Sequence, residues 1–294
     1  ARRRNEFAIS AGGRFRIEYE IAGVDSVDIT DIDPANGIPD FVDHVGDALE
    51  ESWTHQADSL GFDEPDTGGM PYEVSLLAIG SFGYTELDGA APGGTRIVMR
   101  NSYEGLPPNE DPDGSALGSL RVTAAHEFRH AGQYATSAWS EPGLWIEIDA
   151  VWTEDQVFDD VNDYWRYLEG ATPIADPPLP LDNGGTPSYG ESILQFWLEQ
   201  RAGLGGVQDY WERRRNFPAE HPLDSYDAVF TAYYSPLDSS FVDFALHNLQ
   251  CGALAAPGIG YPEAAGYPDT RFSQEFTSLP AGVGSTVNHL AAKL

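Results

Sequence analysis

The chain has 294 residues, enough for one large or two modest domains, and 41% are hydrophobic and 12% aromatic, which excludes a disordered chain. Its 47 acidic residues against 16 basic ones leave a net charge of −31. Such a charge repels phosphate backbones and excludes nucleic acid as a partner. No apolar run approaches the ~20 residues needed to cross a bilayer, so no membrane span is expected.

Cys251 is the only cysteine, which rules out an internal disulfide and leaves the redox compartment open. The sequence starts Ala1-Arg2-Arg3-Arg4 with no apolar export segment, so a secreted form is expected to have lost its signal peptide. Residues 1–13 are expected to be an N-terminal extension. Residues 14–20 (RFRIEYE) alternate polar with apolar side chains and predict a strand.

Residues 28–43 (DITDIDPANGIPDFVD) crowd oxygen ligands around Gly37. Asp31, Asp33, Asn36, Asp40 and Asp43 form a candidate calcium loop, since a hard cation takes six to eight oxygens on a flexible segment. It is not a regular EF-hand: the glycine falls one place late relative to Asp31, and no glutamate closes the loop. An acidic helix-capping loop is the simpler alternative.

From Pro39 the pattern turns helical, with Phe41, Val45, Leu49 and Trp53 recurring every four residues up to about Gly61. Residues 72–79 and 95–100 predict strands, the second an edge strand lining a cleft. Residues 81–94 between them, and 101–118 after them, predict loops. A central helix is expected over 120–135. Pro142-Gly143 breaks it, and a second helix starts near Leu144. Residues 171–190 form a Pro/Gly-rich connector. Helices are expected from Ile193, over 206–215 and over 239–250, followed by a loop over 252–270. The tail (276–290) predicts a strand or a linker.

The central helix carries His126-Glu127-Phe128-Arg129-His130, an HExxH pattern. Residues four apart share a helix face, so both imidazoles can reach one metal ion, while Glu127 can reach a metal-activated water. A three-ligand catalytic zinc site needs one more donor. Glu141, Glu147, Asp149, Glu154 and Asp155 are candidates. Glu147, early in the second helix, is preferred. Glu154, two turns later on nearly the same face, is the alternative ligand or an acceptor for an imidazole N–H. Asp149 points away from that face. The longer HExxHxxGxxH zinc pattern fails, because Gln133 and Thr136 replace its glycine and third histidine.

These residues resemble those of the gluzincin class of zinc metallopeptidases. More narrowly, the chain is similar to a little-characterised group of secreted bacterial metalloproteases. The similarity rests on residues 36–43 (NGIPDFVD), 125–133 (AHEFRHAGQ), 145–155 (WIEIDAVWTED), 161–168 (VNDYWRYL) and 188–203 (SYGESILQFWLEQRAG). The resemblance implies His126, His130 and Glu147 as zinc ligands and Glu127 as the catalytic acid and base.

With it come further expectations. The fold would be α+β and two-lobed, like the zincins, with a mixed sheet and the active-site helix in an N-terminal lobe (14–170). The connector (171–190) would lead to a mainly helical C-terminal lobe and tail (191–294). The function would be a secreted, extracellular zinc endopeptidase acting on a protein or peptide substrate as a monomer, with zinc and calcium bound. Tyr189, in the matched SYG segment, is the candidate oxyanion donor, with His221 second. The alternatives are a zinc amidase acting on cell-wall amides, and a zinc- and calcium-stabilised binding or adhesion module with a silent peptidase site.

Overall fold

Five short strands form one mixed sheet in the computed structural model, which describes residues 5–182, 189–272 and 286–292. The strands are β1 (Asn5–Ile9), β2 (Phe15–Glu20), β3 (Tyr72–Leu77), β4 (Gly83–Leu87) and β5 (Thr95–Arg100), in the order β1-β2-β3-β5-β4. β2, β3 and β5 run parallel, and β1 and β4 close the two edges antiparallel. With its helices, the described chain is of the α+β class.

The chain divides into two compact units, Ala1–Ser140 with Thr153–Asp163, and Glu141–Trp152 with Tyr164–Leu294. The first unit holds the sheet. Alternation along β2 and β3 buries Phe15, Ile17, Tyr72, Val74 and Leu76. They share one core with Val45, Leu49 and Trp53 of α1 (Asp40–Trp53) and Ala124, Phe128 and Ala131 of α2 (Ser115–Ser137). Phe15 sits at its centre, edge-on to Trp53, Tyr72 and Phe128, an arrangement that aromatic quadrupoles favour. A π-helical turn, Thr54–Ser59, continues α1, and Gln56 in it donates to the Ala125 carbonyl at 2.9 Å, tying α1 to the helix with the HExxH pattern.

Several expectations are corrected in this unit. Of residues 1–13, expected as an extension, Asn5–Ile9 form β1, which pairs with β2 along its length; residues 1–4 lie outside the described residues. The stretch 81–94, expected as loop, contains β4. Only five residues long and without a clean in–out alternation, β4 leaves no period-two signal. With β4 outside it, β5 is an interior strand rather than the edge, and Ile97, Val98 and Met99 are all buried. α2 starts at Ser115, so the loop after β5 is shorter than expected.

The second unit is helical. It takes the first part of α3 (Gly143–Val157), then α4 (Trp165–Leu168), α5 (Ile193–Asn216), α6 (Pro222–Tyr233) and α7 (Leu237–Asn248). The division falls inside α3 and after Asp163, not at the 171–190 connector, which belongs to this unit. Residues 183–188 of that connector lie outside the described residues. Its Ile174, Ala175 and Leu181 are buried, as an exposed linker's would not be.

Gly203, at φ 68, interrupts α5, separating the two helical patterns read from the sequence. α6 was not expected; Pro222 at its first position and His221 as its cap start it. Trp197 packs on Phe230 and Phe244 in the core of this unit. Of the tail, residues 276–285 lie outside the described residues. Leu290 and Ala292 pair by backbone hydrogen bonds with Leu181 and Pro177.

Candidate metal centre

α2 is buried along most of its length, so the polar groups on it must be met by partners. His126 and His130, one turn apart, are 8% and 7% exposed. Their rings lie edge to face with centroids 4.7 Å apart, and the two Nε2 atoms are 3.0 Å apart.

The Nδ1 atoms are each held. His126 Nδ1 lies 2.6 Å from Glu154 Oε1, and His130 Nδ1 lies 2.8 Å from Gln133 Oε1. Both partners present oxygen acceptors, so each ring carries its proton on Nδ1. The tautomer follows from these acceptors rather than from an observed hydrogen. It leaves lone pairs on both Nε2 atoms, directed at each other across 3.0 Å. Two acceptor nitrogens at that distance repel unless a cation or proton joins them. Two imidazoles on a tetrahedral zinc, bound at ~2.0–2.1 Å, hold their nitrogens about 3.3 Å apart, close to the observed spacing. The Trp139 indole N–H donates to the His130 carbonyl at 2.8 Å, just beyond Ala138, which ends α2 in a left-handed conformation.

Glu127 is 5% exposed. Thr85 on β4 places its hydroxyl 2.8 Å from Glu127 Oε2 and 2.8 Å from the Glu127 carbonyl. At Gly83 β4 comes close to α2. A Cβ there would stand 2.8 Å from Thr123 Cγ2 and 3.0 Å from Glu127 Cγ. The Tyr103 hydroxyl donates to the Phe82 carbonyl at 3.0 Å, at the entry to β4. Burial first, and then the charge of Glu127, push that phenol well above its usual pKa, so it stays a neutral donor.

Glu154 therefore meets the ring nitrogen of His126 that faces away from the Nε2 pair, the position of an acceptor for an imidazole N–H. Glu147 is half-buried in the part of α3 that belongs to the second unit. It precedes Glu154 by seven residues of one helix, close to two turns, so both carboxylates leave α3 on nearly the same face. Asp149 is fully buried and accepts from Gln195 Nε2 at 2.9 Å and Trp211 Nε1 at 2.8 Å, which occupies it structurally. Glu141 pairs with Arg214 at 2.6 Å, both side chains fully buried.

No protein-family model matches the chain, and no curated protein matches it.

Among the other sequence-derived candidates, Tyr189 opens the 3-10 turn Tyr189–Ser192, its ring 4.8 Å from that of Tyr167. His221 caps α6, its Nδ1 accepting the Leu223 N–H at 3.2 Å, so that nitrogen serves the helix rather than an oxyanion.

In the calcium loop, Asp31 accepts the backbone N–H groups of Asn36 and Gly37 at 3.0 and 2.9 Å. Asp40 Oδ1 accepts those of Ile32 and Asp33 at 2.9 and 3.1 Å. Asn36 Nδ2 donates to Asp43 at 2.9 Å. The loop thus uses part of its oxygen set to hold its own backbone. Burial, with the charges of Asp47, Asp40 and Asp31, raises the Asp43 pKa despite the Asn36 bond.

Sequence reasoning missed three contributors. Gln133 stands three residues after His130 on the same helix and could have been found by that spacing. Thr85 and Gly83 lie on a strand that the sequence pattern hides, so no local signal marks them.

Proposed function

We propose that this chain is a secreted zinc-dependent endopeptidase in which His126, His130 and Glu147 hold the metal and Glu127 is the general base and acid. The observation that carries the metal is the 3.0 Å approach of the two Nε2 atoms, with an oxygen acceptor against each Nδ1 atom. A two-nitrogen, one-carboxylate donor set suits zinc. The helical face shared by Glu147 and Glu154 supports Glu147 as the oxygen ligand.

Zinc held by these residues would supply Lewis acidity, lowering the pKa of a nearby water and polarising a carbonyl. The chain's own residues do the rest. Glu127 takes a proton from the attacking water at its carboxylate and hands it to the leaving amide nitrogen. Burial of this carboxylate keeps competing water from levelling that transfer. Glu154 and Gln133 keep both imidazoles in the ligating tautomer and orientation. Tyr189 is the proposed donor to the developing oxyanion.

A buried carboxylate beside the histidines, that of Glu127, favours an active peptidase over a silent adhesion module, which needs no such group. Calcium at residues 31–43 and an extracellular location are part of the same proposal; the acid crowding around Asp43 and the net charge of −31 support them.

Cleavage of casein by the wild type and by Glu127→Ala tests the reading. The variant is expected to lose activity by at least ~10²-fold, in line with removal of a general base, while keeping its zinc. Equal turnover by the two proteins would reject the mechanism. Cleavage of peptidoglycan cross-links with casein left intact would favour the amidase.

A further inference from the structure

The HExxH pattern supplies a base but nothing to aim it. A glutamate side chain has several rotatable bonds, and holding it in one arrangement costs conformational entropy. The first unit contains a device for this on an element outside the motif. β4, at one edge of the sheet, packs close on the Glu127 stem because Gly83 has no Cβ; an added one would stand 3.0 Å from Glu127 Cγ. Two residues on, the Thr85 hydroxyl lies 2.8 Å from Glu127 Oε2 and 2.8 Å from the Glu127 carbonyl. Its single proton can go to one acceptor at a time, so the carboxylate and the carbonyl of Glu127 compete for it.

We propose that Thr85 is a positioning residue for the Glu127 carboxylate: its hydroxyl holds Oε2 against β4, so that Oε1 is the oxygen presented to water. This rests on the reading of Glu127 as the general base. The Tyr103 hydroxyl, bonded to the Phe82 carbonyl at the entry to β4, sets the strand from which Thr85 acts. A purely structural role, stapling β4 to α2 through the Glu127 carbonyl, would make Thr85 matter for stability and not for turnover.

Thr85→Val keeps the shape and removes the hydroxyl; Thr85→Ser keeps the hydroxyl. With fluorescent casein as substrate, Thr85→Val is expected to lower kcat by ~10-fold to 100-fold, the range for a misplaced catalytic group. KM and zinc content should stay within about twofold, and Thr85→Ser should recover most of kcat. Crystal structures of the metal-free proteins give a readout independent of activity: Glu127 should leave its position in Thr85→Val and keep it in Thr85→Ser.

Wild-type kcat in Thr85→Val, with Glu127→Ala inactive, would overturn the positioning role and leave the proposed function standing. Loss of kcat in both Thr85 variants alike, or an unmoved Glu127 in Thr85→Val, would also overturn it. Full activity in Glu127→Ala would instead defeat the functional reading itself.

Discussion

His126 and His130 owe their chemistry to what lies behind them. Glu154 and Gln133 each accept a hydrogen bond from an Nδ1–H, at 2.6 and 2.8 Å, and so leave the Nε2 lone pair of each ring turned towards the other. Gln133 is fully buried, so replacing it with leucine would leave an imidazole N–H in an apolar setting without its acceptor. Gln133→Leu is expected to weaken zinc binding about 10-fold to 100-fold, as read by competition with a chelator. Unchanged affinity would remove Gln133 from the site. At this scale the HExxH face was legible from spacing alone, because four residues make nearly one turn. The role of Glu154 was legible only as an option: helix periodicity gave its face, and only packing shows which ring nitrogen it meets.

At the scale of elements, turns and helix heads decide which carboxyls are charged. Glu191 lies in the turn that leads into α5 and is 6% exposed. Burial raises its pKa from an ordinary 4.5 to about 7, against a smaller lowering by a backbone hydrogen bond. Between those two values the unfolded chain has lost this proton and the folded chain keeps it, so stability falls as pH rises through that window. The whole effect is on the order of 3 kcal/mol. Urea denaturation should therefore show the pH 5 to pH 8 slope flattening in Glu191→Gln, with the variant gaining most at pH 8. A parallel slope in both proteins would contradict the assignment.

Elements with a strong period were readable from sequence. The four-residue repeat of Phe41, Val45, Leu49 and Trp53 marks α1, and residues 95–100 mark β5. β4 was not, because its five residues lie between glycine-rich turns and do not alternate cleanly between buried and exposed. With β4 hidden, Thr85 and its bond to Glu127 were hidden too.

For the molecule as a whole, the sequence placed a boundary at the Pro/Gly-rich connector, whereas the units divide within α3 and after Asp163. Composition marks where a chain can bend, but burial of Ile174 and Leu181 makes the connector part of the second unit. The net charge of −31 sets another property at this scale, self-repulsion, which bound cations relieve. If residues 31–43 hold calcium, adding EGTA should lower the melting temperature, and excess calcium should restore it. An unchanged melting temperature would leave this segment an acidic loop held by its own Asp31 and Asp40 hydrogen bonds to backbone N–H groups.

The central claim is that His126 and His130 present two ligating nitrogens to one zinc ion. Elemental analysis of the purified protein, with and without the His126→Ala substitution, tests it most directly. The account predicts one zinc per chain in the wild type, with loss of stoichiometric zinc in the variant. Wild-type protein that takes up no stoichiometric zinc, or a variant that binds it equally well, would contradict it.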